Sequence, residues 1–366
     1  MTREAVPGLT VRAGVCRVMY AYDIGFSIDM ERCRQAMPPE AFPPRRRPSR
    51  HFDLEPEPLL IRRSSAPITV GRFQTRPDVE MQVYDFGGVS VSFTIPIEGP
   101  LSALLDLTCE LGEDPRLLGE SRRLVEALLE EVRGAVTQPG LADAVEDYML
   151  LHVAEFDSPI SPADIPVHMA RELAQVLRAE RAELSAQETA DAMAHCISYG
   201  REDVTVVDWN AALALGRDMD DVRAVLEFAN LELLEMRCLD RKLDNYLDRA
   251  YALVSGPERR RIWPRRNPPE LHRLAELRLD GAILFERVSN APKLLGDQYL
   301  ARLYRLAAQR FHLAEWNASI LRKLEVIDGI YEKLAERAST RRLEVLEWII
   351  ILLIAFEIGW TLWSAG

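Results

Sequence analysis

The chain has 366 residues, with 45 Lys and Arg against 57 Asp and Glu and a formal net charge of −12. Apolar residues make up 48% and charged residues 28%, enough to build a packed core, which excludes bulk disorder. The acidic balance argues against a general nucleic-acid binder, and no direct sequence-specific nucleic-acid binding is expected.

Cys16, Cys33, Cys109, Cys196 and Cys238 lie far apart with no CxxC pair, so a zinc knuckle or disulfide frame is not expected and a reducing compartment fits. The first residues carry no apolar run, so no secretory signal is expected.

In chain order, VRAGVCRVMYAY (11–22) reads as a strand, and Ser27 to Met37 as a short helix capped by Ser27. The Pro- and Arg-rich segment 37–50 reads as an exposed loop. Val79, Met81 and Val83 alternate on one side of Asp85-Phe86-Gly87-Gly88, and Val89, Val91, Phe93 and Ile95 on the other. That pattern predicts a β-hairpin. Helical periodicity follows in LSALLDLTCEL (101–111), ESRRLVEALLEEVRGAV (120–136), LADAVEDYMLLHV (141–153) and PVHMARELAQVLRAERAEL (166–184). DVTVVDW (203–209) reads as one more strand.

Beyond about residue 215 the pattern becomes a heptad. Val222, Ala229, Met236, Leu243 and Ala250 are seven apart, beside Leu226, Leu233, Asp240, Leu247 and Val254. A second seam runs through Leu306, Leu313, Ile320, Ile327 and Leu334, with Asp240, Arg310 and Asn317 as polar interruptions. Two such seams predict coiled-coil packing or, more plainly, core helices of a bundle. A shorter helix is expected over 270–288. Before it, Arg259, Arg260, Arg261, Arg265 and Arg266 surround Trp263 in a basic loop. That loop is expected to face lipid.

The terminal stretch VLEWIIILLIAFEIGWTLWSAG (345–366) is far more apolar than the rest. Its Leu, Ile, Phe and Val residues return roughly 0.3–0.6 kcal/mol each on an insertion scale and outweigh one buried glutamate at about 2.5–3.5 kcal/mol. This predicts a single span, with Glu357 as an intramembrane polar residue beside Ile350, Leu353, Ile354 and Thr361. The alternative is a terminal helix buried at an oligomer's centre. Lys333, Arg337, Arg341 and Arg342 precede the segment, which would put the N-terminal bulk in the cytoplasm. The expectation is therefore an α+β protein: a mixed α/β head over 1–214, a helical coiled-coil region over 215–342, and a C-terminal transmembrane helix over 343–366.

No GxGxxG or GxxxxGK[ST] loop occurs, and the six histidines are isolated. His195-Cys196 reads as structural rather than as a base and nucleophile, and Glu155 and Asp157 read as a loop and helix start. No catalytic, cofactor-binding or metal-ligating residue is expected.

RRLEVLEWIIILLIAFEIGW (341–360) resembles the closing signature of the "required for meiotic nuclear division" protein family. Residues 281–327 are similar to an upstream block of that family through Phe285, Arg287, Asn290, Tyr304, Asn317 and Leu324. VYDFGGVSVSF (83–93) and RELAQVLRAERAEL (171–184) resemble its hairpin and one helix. Gly296-Asp297-Gln298-Tyr299 departs from a family element of Pro, an acid, Phe and Trp.

The resemblance implies a homo-oligomeric membrane protein without enzymatic activity. It also implies a partner in the ribosome or other membrane proteins, since mitochondrial members sit in the inner membrane and support translation. For this chain the bacterial cytoplasmic (inner) membrane is the expected location. The leading expectation is a membrane-anchored scaffold. The alternative is an oligomeric channel lined by Glu357.

Overall fold

The structure, a computed structural model, describes residues 9–42, 56–157, 161–255 and 297–364. Eight strands form one mixed sheet: β1 (Thr10–Asp23), β2 (Leu59–Ser64), β3 (Asp78–Val83), β4 (Gly88–Pro100), β5 (Glu146–Phe156), β6 (Cys196–Ile197), β7 (Val204–Val207) and β8 (Ala211–Leu215). Their order is β6-β7-β8-β5-β1-β4-β3-β2. Only β8 with β5 is a parallel pair.

The β3–β4 hairpin is present as the alternation predicts, with Val83 opposite Val89 and Met81 opposite Val91. Its turn needs glycine. Gly87 has φ +101, and a Cβ there would stand 1.8 Å from the Gly25 carbonyl oxygen.

The helices are α1 (Met30–Ala36), α2 (Ser102–Glu113), α3 (Arg116–Val132), α4 (Ile165–His168), α5 (Ala170–Arg178), α6 (Ala186–Ala192), α7 (Asp220–Ser255), α8 (Gln298–Arg310) and α9 (Leu313–Ser364). Two compact units divide the chain. One runs to Cys238 and takes up the residues ending at Trp316, and the other takes Leu239 onward and Asn317 onward. In the first unit, Leu104, Leu107, Leu124, Leu128, Leu173 and Leu177 from α2, α3 and α5 share one core with Val18, Tyr20, Tyr22, Val91, Phe93 and Leu151 of the sheet. Spacings of three and four along each helix put these residues on one stripe.

Helix α7 meets the sheet through other residues. Leu231 lies over Gly88, Phe228 makes ring contacts with Tyr84 and Phe86, and the Asn230 amide donates to the Glu146 carbonyl at 3.4 Å.

In the second unit, the Ser319 hydroxyl donates to Asp240 at 3.1 Å, and Lys323 Nζ reaches Asp240 at 2.7 Å and Asp244 at 2.6 Å. Higher numbers on α9 meet higher numbers on α7, so the two helices run parallel. The seam residues Ile320 and Ile327 have no exposed surface and Leu243 none either. Leu313 is buried in the first unit and Leu306 is half-buried. Leu334's side chain lies outside the described residues, as do the helix expected over 270–288 and the basic loop with Arg259, Arg260, Arg261, Trp263, Arg265 and Arg266.

The structure corrects the reading of the sequence in several places. Helix α1 is capped by Asp29, not Ser27, with Asp29 Oδ1 accepting from the Glu31 and Arg32 amides at 3.2 and 3.1 Å. Of residues 141–153, expected helical, 146 onward belong to the central strand β5, Glu146–Phe156. Tyr148, Met149, Leu150 and Leu151 are all buried, because both faces of the sheet are covered there. A strand buried on both faces shows no alternation, and its apolar run mimics a helix.

The larger correction concerns the C-terminus. Among the described residues no helix is long and apolar enough to cross a membrane. This overturns the expected transmembrane helix and tail anchor, and with them the placement in a bacterial inner membrane. The physical reason lies in the charge spacing. Glu347 and Glu357 bracket only nine uninterrupted apolar residues, Trp348 to Phe356, whereas spanning takes about 20. The reading of Glu357 as an intramembrane site presupposes such a helix and goes no further.

Candidate functional site: an acidic cleft at two helix N-termini

Three separate stretches of chain build a cleft of about 390 Å³ in the first unit: the β6–β7 loop, the β8–α7 turn and the start of α8. The β8–α7 turn depends on Gly216, whose φ is +145 and whose amide donates to the Val153 carbonyl at 3.0 Å. A Cβ at Gly216 would stand 2.4 Å from the Met219 methyl. Val222 and Leu300 join Met219 as the apolar part of the lining, and Tyr199 and Tyr299 meet edge-on at 5.7 Å.

Five carboxylates line the cleft, from Glu202, Asp203, Asp218, Asp221 and Asp297, against one cation, Arg217. Three of the five are already engaged. Asp203 accepts from the Tyr199 and Gly200 amides at 2.8 and 2.6 Å. Asp297 caps α8, accepting from Tyr299 and Leu300 at 2.6 and 3.2 Å. Asp218 accepts from the Asp220 amide at 3.4 Å at the start of α7. Carboxylates at helix N-termini satisfy amides that the helix cannot reach and complement the dipole. Two of the five carboxylates, Asp218 and Asp297, therefore belong to helix starts, and Asp203 to a loop.

Among the described residues Glu202 and Asp221 keep no hydrogen-bond or ion-pair partner, so they supply the capacity for an outside donor. Burial pushes the Tyr299 phenol up from its ordinary value, so it stays a neutral hydroxyl. Among the described residues no group of three or more His, Cys, Asp or Glu is placed to hold a metal. The lining offers hydrogen-bond acceptors and ring faces; it offers no nucleophile paired with a base.

A second polar cluster lies at the other end of α8. Asp208 has no exposed surface. Arg178 Nε donates to its Oδ2 at 3.0 Å and Arg310 Nε to its Oδ1 at 2.6 Å. Asp191 bridges the same two arginines at 2.6 and 2.8 Å, and Glu188 also pairs with Arg178. Tyr148 donates to the Asp208 carbonyl at 2.9 Å. The cluster ties α5, α6, the end of β7 and the end of α8 together, with its acceptors occupied.

His195 sits beside this cluster, its pKa lowered by burial and then by Arg310. Burial raises the neighbouring Cys196 thiol, which makes it a poor nucleophile. Asp157 exchanges hydrogen bonds with the Thr10 backbone at 3.0 and 3.2 Å, a strand-end contact rather than half of an acid–base pair. Glu357 is exposed on α9.

Sequence reasoning missed both clusters. For the cleft the signals were present as local caps, in GDQYL (296–300) and DMDD (218–221), but nothing in the sequence brings them together.

The family model described as "Uncharacterized protein MJ0711, N-terminal domain" matches residues 13–221. The chain belongs to this family. The MJ0711-type domain runs from β1 to the first turn of α7. It carries the sheet and most of the cleft, and it stops short of Asp297, Tyr299 and Leu300. The chain is also 23% identical over 241 residues to "Uncharacterized protein MJ0711" of Methanocaldococcus jannaschii, covering 64% of this chain and 71% of that one. No solved structure matches. The MJ0711-type match carries no information about the meiotic nuclear division family.

Proposed function

We propose that this protein is a non-enzymatic, homo-oligomeric scaffold that assembles through the C-terminal part of α9 and presents its head domain to a partner. The observation carrying this reading is the exposure of α9. Every described side chain from Leu346 to Ile358 is exposed, with Trp348 at 65%, Leu352 at 64% and Phe356 at 68%. Consecutive residues on a helix point about 100° apart, so apolar side chains face outward on all sides. A helix apolar all round belongs in an interior.

The occupant is a second copy of the same helix. Phe356 stacks on Trp360 at 6.1 Å and Trp360 meets Trp363 at 5.9 Å, giving a large aromatic surface with which a copy could pack. By the resemblance above, the partner presented with the head is the translation machinery.

Light scattering of the full chain against Ile350→Asp/Leu353→Asp tests the assembly. The parent should form an oligomer and the double variant should fall to a smaller species. Identical masses for the two would reject the reading. Co-sedimentation with ribosomes tests the partner separately.

A further inference from the structure

Helix α7 passes through the first unit with almost no exposed surface: from Val222 to Met236 every residue is buried except half-buried Ala224. Five of those residues are polar or charged, namely Arg223, Glu227, Asn230, Glu232 and Glu235. Buried charge requires a partner. Arg223 supplies one for Glu227 at 3.3 Å and for Glu80 of β3 at 3.7 Å.

Glu232 differs. It is 3% exposed, and its described partner is the Tyr304 hydroxyl of α8 in a short hydrogen bond. A phenol carries no positive charge to offset an ionised carboxylate.

Among the described residues, no cation is paired with it. Arg305, next to Tyr304 on α8, is exposed and donates to the Ala301 carbonyl at 3.2 Å. From the sheet, Glu80 pairs with Arg62 at 3.1 Å and with Arg223 at 3.7 Å, and Glu146 pairs with Arg237. Glu235, one turn along α7 and 2% exposed, brings no positive charge. The site therefore favours the protonated carboxyl.

We propose that Glu232 and Tyr304 form a proton-dependent latch, which holds α8 on α7 while the carboxyl keeps its proton and lets α8 loosen when the proton is lost. Burial pushes the Glu232 carboxyl up to about 8, with the Tyr304 hydrogen bond opposing. Burial and the Glu232 charge both raise the Tyr304 phenol. The latch thus titrates in the range where ordinary carboxylates are silent. At the far end of α8, Arg310 remains bound to Asp208 and Asp191, because guanidinium keeps its charge. Loosening is therefore hinged at Arg310 and moves the start of α8, which carries Asp297, Tyr299 and Leu300 of the cleft.

Opening exposes Glu232 to water, where its ordinary value is 4.5. Between that value and about 8 the closed form holds one more proton than the open form. The opening equilibrium then grows about tenfold for each pH unit and levels off once both forms are ionised.

Hydrogen exchange of the 298–310 segment in the full chain, corrected for intrinsic rates, tests this from pH 6 to 9. The expected result is protection that falls about tenfold per unit to pH 8 and then levels, with the slope absent in Glu232→Gln. Protection of the parent that is independent of pH, or an equal slope in the variant, would overturn the latch. Infrared spectroscopy of the parent gives a second readout. The band of a protonated carboxyl should persist at pH 7 and disappear by pH 9, and its absence at pH 7 would also overturn the proposal.

Discussion

Arg310 reaches across 102 residues of sequence to Asp208, its Nε standing 2.6 Å from Oδ1. Arg178 takes the other carboxylate oxygen at 3.0 Å. Both arginine side chains are close to 90% buried, so the contact sits in low dielectric and is screened little by salt.

Asp208→Asn removes the buried one of the two carboxylates that Arg178 and Arg310 share. Breaking a buried pair by removing one partner costs about 3–5 kcal/mol. The urea midpoint should drop accordingly while the slope stays constant. A loss below about 1 kcal/mol would mean that the cluster behaves as a surface ion pair.

Asp191 gives the same cluster a defined acid sensitivity. Its carboxyl is held below the ordinary 3.8, first by Arg310 and then by Arg178. A lowered folded value means stabilisation present above 3.8 and lost as pH falls through the folded value. Acid unfolding followed by near-ultraviolet circular dichroism should be shallower below pH 4 in Asp191→Asn than in the parent.

The glycines offer a paired test. Gly87→Ala forces a side chain to φ +101 and into the Gly25 carbonyl, so it should cost more than about 2 kcal/mol. Gly119 lies in the first turns of α3, and a Cβ there meets nothing within 4 Å. Gly119→Ala should raise stability by roughly 0.5–1 kcal/mol. Thermal unfolding of both variants, one shifted down and one up, checks the two signs together.

The parallel pair in the second unit makes a graded prediction. Ile320→Ala and Ile327→Ala remove side chains with no exposed surface and should each cost about 2–5 kcal/mol. Leu306→Ala, at a half-buried position on α8 outside this pair, should cost less. Lys323→Met, which removes the ammonium shared by Asp240 and Asp244, should cost about 1 kcal/mol or less because Asp244 keeps contact with solvent. Equal losses at all four positions would contradict the seam.

How much of this was legible follows from where each signal sits in the chain. The β3–β4 hairpin could be read because Val79 to Ile95 alternates around one glycine turn. Strand β5 could not, because Tyr148 to Leu151 is buried on both faces and loses the period of two. Strand β8, AALAL (211–215), hides because alanine carries little strand preference. The heptads of α7 and α9 were visible, and so was the terminal apolar run. Summed hydrophobicity outweighed the two glutamates that bracket it. The cleft and the Asp208 cluster were invisible for one reason: each joins residues about 100 positions apart, and spacing along a chain carries no record of such meetings.

The enclosure of α7 also sets an order of events during synthesis. The helix reaches Cys238 well before the residues ending at Trp316 exist, a difference of 78 positions (316 − 238) within one compact unit. At roughly 5–20 residues per second, that gap lasts on the order of 4–16 seconds. For most of it Tyr304 is not yet made, and its side of α7 waits uncovered with Glu232 in water. A nascent head in that interval is a target for holding chaperones, and fast translation of this stretch shortens its exposure.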